Sequence, residues 1–170
     1  MRQPTHDEEA EVRSFFEAAE KGLSRKVLGD RALAIHDGED GRTVSLVPRD
    51  LWDRPEELWG LAAGGGLPVG VLDEDGFGLD LQGAVVWARE TRRHVVRCSE
   101  QATRMFLYGK DVLGDSIEDH DRDLGLGDAC VVANVRGEGI GIGRVVGRFK
   151  GPSSAVSSLH DLGAYLRDQS

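Results

Sequence analysis

From Gly137 to Gly143 every second residue is glycine, with Glu138, Ile140 and Ile142 between them. A period of two belongs to a strand, and it places the isoleucines on one face and bare backbone on the other. Such a strand lies where a neighbour packs closely or where a barrel bends. A phosphate-cradling loop would need G-x-x-x-x-G-K-[ST] or G-x-G-x-x-G opening a helix, and no helical pattern follows Gly143. The glycines therefore read mainly as close packing in a small barrel, with approach of a nucleic-acid backbone to the bare face as the functional alternative.

The surrounding sequence supports short strands. His94–Cys98 is one, and Ser99 caps a helix running to about Leu107. An extended segment near Val112–Ile117 precedes the polar loop Glu118–Asp123, which reads as solvated because it misses the calcium-loop pattern. Ala129–Val135 and Ile140–Phe149 flank the turn Arg136–Gly139, Ala155–Leu159 is a further strand, and His160–Arg167 a closing helix. Several strands and two small helices in under eighty residues suggest a partly open barrel.

Upstream, Thr5 and Glu8 form a capping box for a helix whose Val12, Phe15, Phe16 and Ala19 make one apolar stripe, with Gly22 as its stop. Arg31–His36 and Thr43–Val47 read as a hairpin, and Val69–Leu72 with Phe77–Leu81 as another. Short helices are expected at Arg54–Ala63, capped by Asp53, and at Ala84–Arg89. Thr91-Arg92-Arg93 marks a boundary between residues 1–91 and 92–170. The fold class is α+β, a mixed α/β domain followed by a small β-barrel.

Charge is distributed unevenly. The chain of 170 residues carries a formal charge of −9, with four Lys against seventeen Arg. Acidic excess with scarce Lys suits a protein kept soluble in concentrated salt, although a GC-rich genome also depletes Lys. All the excess acid lies in residues 1–91; residues 92–170 carry as many bases as acids. Gly139–His160 has no Asp or Glu yet includes Arg144, Arg148 and Lys150. In a regular strand Arg144 and Arg148 share a face that Lys150 continues. Guanidinium groups bind phosphate oxygens and stack on bases, so a polyanion partner is expected there. Lys110, Arg136 and Arg104 are second-rank contacts, and Tyr108 and Phe149 are candidate stacking aromatics that a core would equally claim.

No cofactor or metal motif is present. Cys98 and Cys130 lie in apolar runs without ligand spacing and read as buried thiols. The five histidines fall in no nucleophile motif, so a non-enzyme is expected; Asp30, Asp50 and His36 are the residues to inspect for catalysis. No apolar run is long enough to span a membrane, and the N-terminus lacks a signal-peptide core. The expected location is cytoplasmic.

Phe106-Leu-Tyr-Gly-Lys-Asp-Val112, Gly127-Asp128 and Gly141-Ile-Gly-Arg144 resemble successive signatures of a PUA domain. The Tyr-Gly-x-Asp-Val form resembles the Nip-seven ribosome-biogenesis family and its archaeal relatives. Met1-Arg2 with Thr5-x-x-Glu8-Glu9, and Asp161–Arg167, resemble that family's start and closing helix. The resemblance implies an α/β pre-PUA domain, a C-terminal PUA barrel that binds RNA, and a role in maturing large-subunit rRNA alongside processing or ribosome-assembly proteins. It places the RNA surface among basic residues late in the PUA domain, where Arg144, Arg148 and Lys150 stand. The acidic first domain departs from the family and fits a halophilic member. A protein-docking adaptor, using an apolar patch near Trp52 or Trp59, is one rival; an RNA-delivery subunit of a modifying enzyme is another. At ~1 M salt the Debye length is about 3 Å, so such a binder would rely on direct hydrogen bonds and stacking.

Overall fold

The computed structural model describes residues 1–38, 41–52 and 66–167. The chain divides into two compact units, Met1–Gly83 and Ala84–Ser170.

The first unit opens with α1 (His6–Ala19), whose capping box forms as expected. Thr5 Oγ1 accepts from the Glu8 backbone N–H, and the Glu8 carboxylate accepts from Thr5 N–H. Val12 and Phe16 are buried, while Phe15 packs edge-on to Phe77. A second helix, α2 (Leu23–Leu28), was not expected; it follows Gly22 and buries Leu23, Val27 and Leu28. Both hairpins are present, as β1 (Arg31–Gly38) with β2 (Gly41–Pro48), and β3 (Leu67–Asp73) with β4 (Gly76–Leu79). They form one antiparallel sheet in the order β1-β2-β3-β4. A short α3 (Arg49–Trp52) follows β2. The helix expected at Arg54–Ala63, with its Asp53 cap, lies outside the described residues.

Glu8 anchors this unit. Its carboxylate is buried and accepts from Arg2 at 2.8 and 2.9 Å and from Arg42 at 2.7 Å. Arg2 also grips Asp37, and its backbone pairs with Ile35 on the edge of β1. The Arg2 hydrogen bonds, aided by Thr5 N–H and Arg42, outweigh burial and hold the Glu8 carboxyl far below its ordinary range. The N-terminal segment, α1 and the β1–β2 hairpin are thereby tied through one side chain.

The second unit begins within α4 (Leu81–Glu90). A boundary near 91/92 would assign that helix to the first unit. Instead, Trp87 is buried with its Nε1–H donating to Arg93 O at 2.7 Å. Ala84 O also packs on Gly139, where a Cβ would come within 2.5 Å. Both contacts tie α4 from Ala84 onward to the residues that follow it, while Gly83 packs on Val69 O within the first unit.

The remaining elements are β5 (Val95–Cys98), α5 (Glu100–Leu107), β6 (Val112–Leu113), β7 (Ile117–His120), β8 (Ala129–Ala133), β9 (Gly139–Val145), β10 (Ser154–Asp161) and α6 (Ala164–Arg167). A 3-10 turn, Gly114–Ser116, separates β6 from β7. The sheet order is β6-β10-β9-β8-β5-β7, with only the β5–β8 pair parallel. Register shifts interrupt four of the antiparallel pairs and curl the sheet into a pseudo-barrel. Its core joins Phe106, Val96, Val112, Val132, Val145 and Val156. The α+β expectation and the barrel-like second half both match this architecture.

Glycines 139, 141 and 143 are buried. A Cβ on Gly141 would lie 2.3 Å from His160 O, and one on Gly143 would lie 2.4 Å from Val156 Cγ1. The bare face of β9 is thus covered by the protein itself, which removes it as a nucleic-acid surface. The acidic loop also differs from expectation. Glu118–His120 belong to β7, paired with β5. Burial works against ionisation of Asp121, but backbone donors from His94 and Asp123, with Arg93 nearby, lower its carboxyl pKa. The terminal helix shrinks to Ala164–Arg167 because β10 runs on to Asp161.

Two outcomes follow from this packing. Glu8→Gln should lower stability by about 2–3 kcal/mol at neutral pH, since it removes the negative charge that two arginines share and replaces one acceptor oxygen with a donor. Because the folded carboxyl is depressed, its contribution is complete above the unfolded value of about 4.3 and is lost as pH falls below it. The gap between wild type and variant in urea titrations should therefore narrow on acidification. Cys98 and Cys130 are free and buried; burial raises the Cys98 thiol and pushes Cys130 up to about 12. Neither should react with a thiol reagent in the native protein, and both should react in denaturant.

Candidate nucleic-acid interface

Arg144 projects from β9, opposite Ala129 of β8 and Ser157 of β10. Its Nη1–H donates to Gly127 O at 3.0 Å. The strand stops at Val145. Val146 and Gly147 both donate to Ala155 O, at 2.9 and 3.2 Å, a two-on-one arrangement that ends regular pairing. Arg148 and Lys150 therefore do not extend the Arg144 face by even spacing, as a strand to Phe149 would require.

They are held instead by the 3-10 turn. A Cβ on Gly114 would meet Arg148 O and Lys150 N, each at 2.7 Å, so only glycine lets the two backbones touch. Gly114 N–H donates to Ser153 O, and Asp115 and Gly151 exchange bonds through Asp115 N–H to Gly151 O and Gly151 N–H to Asp115 Oδ1. Arg144, Arg148 and Lys150 are all exposed, and among the described residues none is paired with a carboxylate.

The acid-free stretch is acid-free only along the chain. Asp111 accepts from Ser158 N–H at 3.2 Å, Asp115 from Gly151 N–H at 2.6 Å, and Asp128 from Gly125 N–H at 2.8 Å. Folding brings three carboxylates to this region and engages each with backbone donors. That arrangement spends them on structure and leaves the three cations open.

The Tyr-Gly signature is the end of α5. Lys110 N–H donates to Met105 O and Gly109 N–H to Phe106 O, a Schellman motif in which Gly109 takes φ +74°. Tyr108, at the cap, is 69% exposed, and Lys110 is exposed beside it. Arg104 lies one turn earlier and pairs with Glu100 at 3.3 Å. Phe149 is half-buried, packed on the core and stacked against His120 with ring centroids 4.2 Å apart.

Arg136 is not brought to the others. It stands in the turn joining β8 to β9, beyond the Ala133–Gly139 pair, whereas Arg144 lies at the far Ala129 end of the same hairpin. About five strand residues separate the two ends, or roughly 17 Å. Leu126, 78% exposed between two glycines, was missed; an apolar residue at a Gly-flanked turn tip was its only signal. Its neighbour Gly127 donates to Val145 O and accepts from Arg144, so Leu126 precedes the residue that the Arg144 guanidinium grips, and Val146, two residues after Arg144, is also exposed. Asp30 and Asp50 sit near the Arg31–Pro48 end of the β1–β2 hairpin, and His36 near its other end, so they form no common site. Trp59 and the side chain of Trp52 lie outside the described residues.

A curled six-stranded sheet with a capped helix, a Gly-rich central strand and basic residues beyond it defines a PUA-type domain, a kind of domain that typically binds RNA. A family model for the UPF0113 PUA domain matches residues 94–170. A UPF0113 protein from Aeropyrum pernix is 31% identical over 169 residues, covering 98% of this chain and 91% of that protein. The chain belongs to the UPF0113 family. Among solved structures, a conserved PUA domain protein from Thermoplasma acidophilum superposes with TM-score 0.69 at 15% identity, covering 99% of this chain and 97% of its own. A hypothetical protein from Pyrococcus horikoshii gives TM-score 0.67 at 16% identity over 93% of this chain and 92% of its own. Both share the fold.

Gly109→Ala should cost about 1–2 kcal/mol, because a Cβ strains the left-handed conformation. Tyr108→Ala should stay within about 0.5 kcal/mol of wild type, as an exposed residue with few contacts. Chemical denaturation of both variants checks the pair.

Proposed function

We propose that this protein is a non-catalytic RNA-binding accessory factor that engages single-stranded precursor rRNA through its second unit. Its setting is large-subunit rRNA processing and ribosome biogenesis in the cytoplasm, as the Nip-seven resemblance suggests, with a halophilic host as the source of the acidic excess. The observation that carries the reading is a PUA domain whose Arg144, Arg148 and Lys150 are exposed and, among the described residues, free of carboxylate partners, in a chain of net charge −9. Arg144 and Arg148 supply planar donors for phosphate oxygens and bases, and Lys150 a point charge. Tyr108 offers an exposed ring for stacking, with Lys110 beside it.

A second reading, a protein-docking adaptor, is favoured by exposed Leu126 and Val146 near Arg144. An RNA-modifying role has less support, since Asp30, Asp50 and His36 are spread along a hairpin. Among the described residues no helix is long and apolar enough to cross a membrane.

The test is fluorescence anisotropy with single-stranded RNA at several salt concentrations. Arg144→Ala/Arg148→Ala/Lys150→Ala should abolish binding while remaining folded. Arg148→Ala alone should lower the salt slope by about 0.7, one single-strand contact, and Arg136→Ala should leave both affinity and slope unchanged. Absence of binding by wild type at any salt would sink the proposal and favour docking to protein.

A further inference from the structure

The first unit is the acidic one, yet its cations are strongly segregated. Within Met1–Gly83 the described cations number eight. Arg2 and Arg42 clamp Glu8. The other six, Arg13, Lys21, Arg25, Lys26, Arg31 and Arg49, all line two adjoining hollows of about 200 and 820 Å³ that share Arg13 and Arg49. The fold assembles them from separate elements. Arg13 lies on α1, Arg25 and Lys26 on α2, and Arg31 opens β1 opposite Pro48, which brings the next residue, Arg49, alongside.

Among the described residues the lining itself holds two carboxylates, Glu9 and Glu17. Glu9 pairs with Arg13. Glu17 accepts from Gly22 N–H, Ser24 N–H and Ser24 Oγ–H, so it is committed to holding the start of α2. Lys26 pairs with Glu20. Lys21, Arg25, Arg31 and Arg49 have no carboxylate partner among the described residues. With Glu9, Glu17 and Glu20 set against the six cations, a surplus of three positive charges remains among the described residues of this concavity, which is unexpected in a unit with twice as many acids as bases unless an anion occupies it.

We infer that this groove is a second polyanion site, which takes the phosphodiester backbone of single-stranded RNA. Its shape favours a chain over a single small anion. Glu9, Arg13 and Glu17 mark one face of α1 over eight residues, about 12 Å at 1.5 Å per residue. That length spans successive phosphates of a single strand and exceeds one small anion. Among the described residues the lining holds no aromatic ring, so the groove grips backbone and leaves base stacking to the other unit. The inference rests on the RNA-binding reading above and extends it to the half of the chain that net charge would exclude.

The test uses the full chain with a long and a short oligouridylate, read by anisotropy across a salt series, with circular dichroism to verify folding. Arg25→Ala/Arg49→Ala should lower the salt slope on the long RNA by about 1.4, two single-strand contacts at ~0.7 each, and weaken binding about tenfold at low salt. The slope on the short RNA, which one site satisfies, should change less. Arg25→Lys/Arg49→Lys should restore the slope, because a point charge still displaces a counterion. If the alanine pair retains wild-type affinity and slope while the Arg144/Arg148/Lys150 variant loses binding, the groove proposal falls and the PUA reading stands. If the groove variant alone loses binding, the groove stands and the PUA face falls. A groove variant that keeps RNA affinity but loses binding to polyglutamate would overturn the proposal in favour of an acidic protein partner.

Discussion

The approach of backbone to backbone across β9 shapes the second unit. At Gly139, Gly141 and Gly143 the strand lies against Ala84 O, His160 O and the Val156 side chain, at distances where any Cβ would collide. Removing side chains from that face draws α4, β10 and Phe106 of α5 onto one strand and curls the sheet around them. The same closeness excludes an outside ligand from the face. The candidate contacts lie where β9 ends, at Arg144 and the bulged segment after Val145, where side chains are again exposed. The site is therefore a consequence of how the core closes.

Electrostatics in the first unit follows a similar division of labour. One buried carboxylate, Glu8, consumes Arg2 and Arg42 and ties three segments together. A buried charge needs such partners, since leaving it alone costs several kcal/mol. The remaining described cations are then gathered into one concavity, while acids predominate elsewhere in this half of the chain. Net charge describes what a distant ion feels. At the few-ångström range that matters in concentrated salt, the local arrangement decides.

Much of the fold was legible because it rests on local rules. The Thr5–Glu8 capping box, the Ser99 cap and both hairpins of the first unit each depend on residues near one another in sequence, and the alternate glycines of β9 announce close packing without saying what packs there. The failures were long-range. The stretch from Ile140 to Phe149 reads as one strand, but Ala155 O receives two donors and breaks it at Val145. Glu118–His120 reads as solvated loop, yet β5 recruits it as an edge strand. α4 reads as the end of the first domain until Gly139 and Arg93 are seen to hold it.

For the candidate interface the sequence by itself determined which residues were eligible: cations in an acid-free stretch, a Tyr-Gly helix end, and glycines that forbid bulk. Those are properties of composition, spacing and backbone freedom, and they survive in any fold. Tertiary structure alone decided which of them meet. It set Arg136 at the far end of the β8–β9 hairpin from Arg144, placed Leu126 near Arg144, and returned Asp111, Asp115 and Asp128 to a segment that lacks acids of its own. It also collected six cations from α1, α2, β1, α3 and the turn before α2 into a groove that net charge conceals. The reason is physical: charge and contact act through distances in space, and pairing between strands far apart in sequence sets those distances.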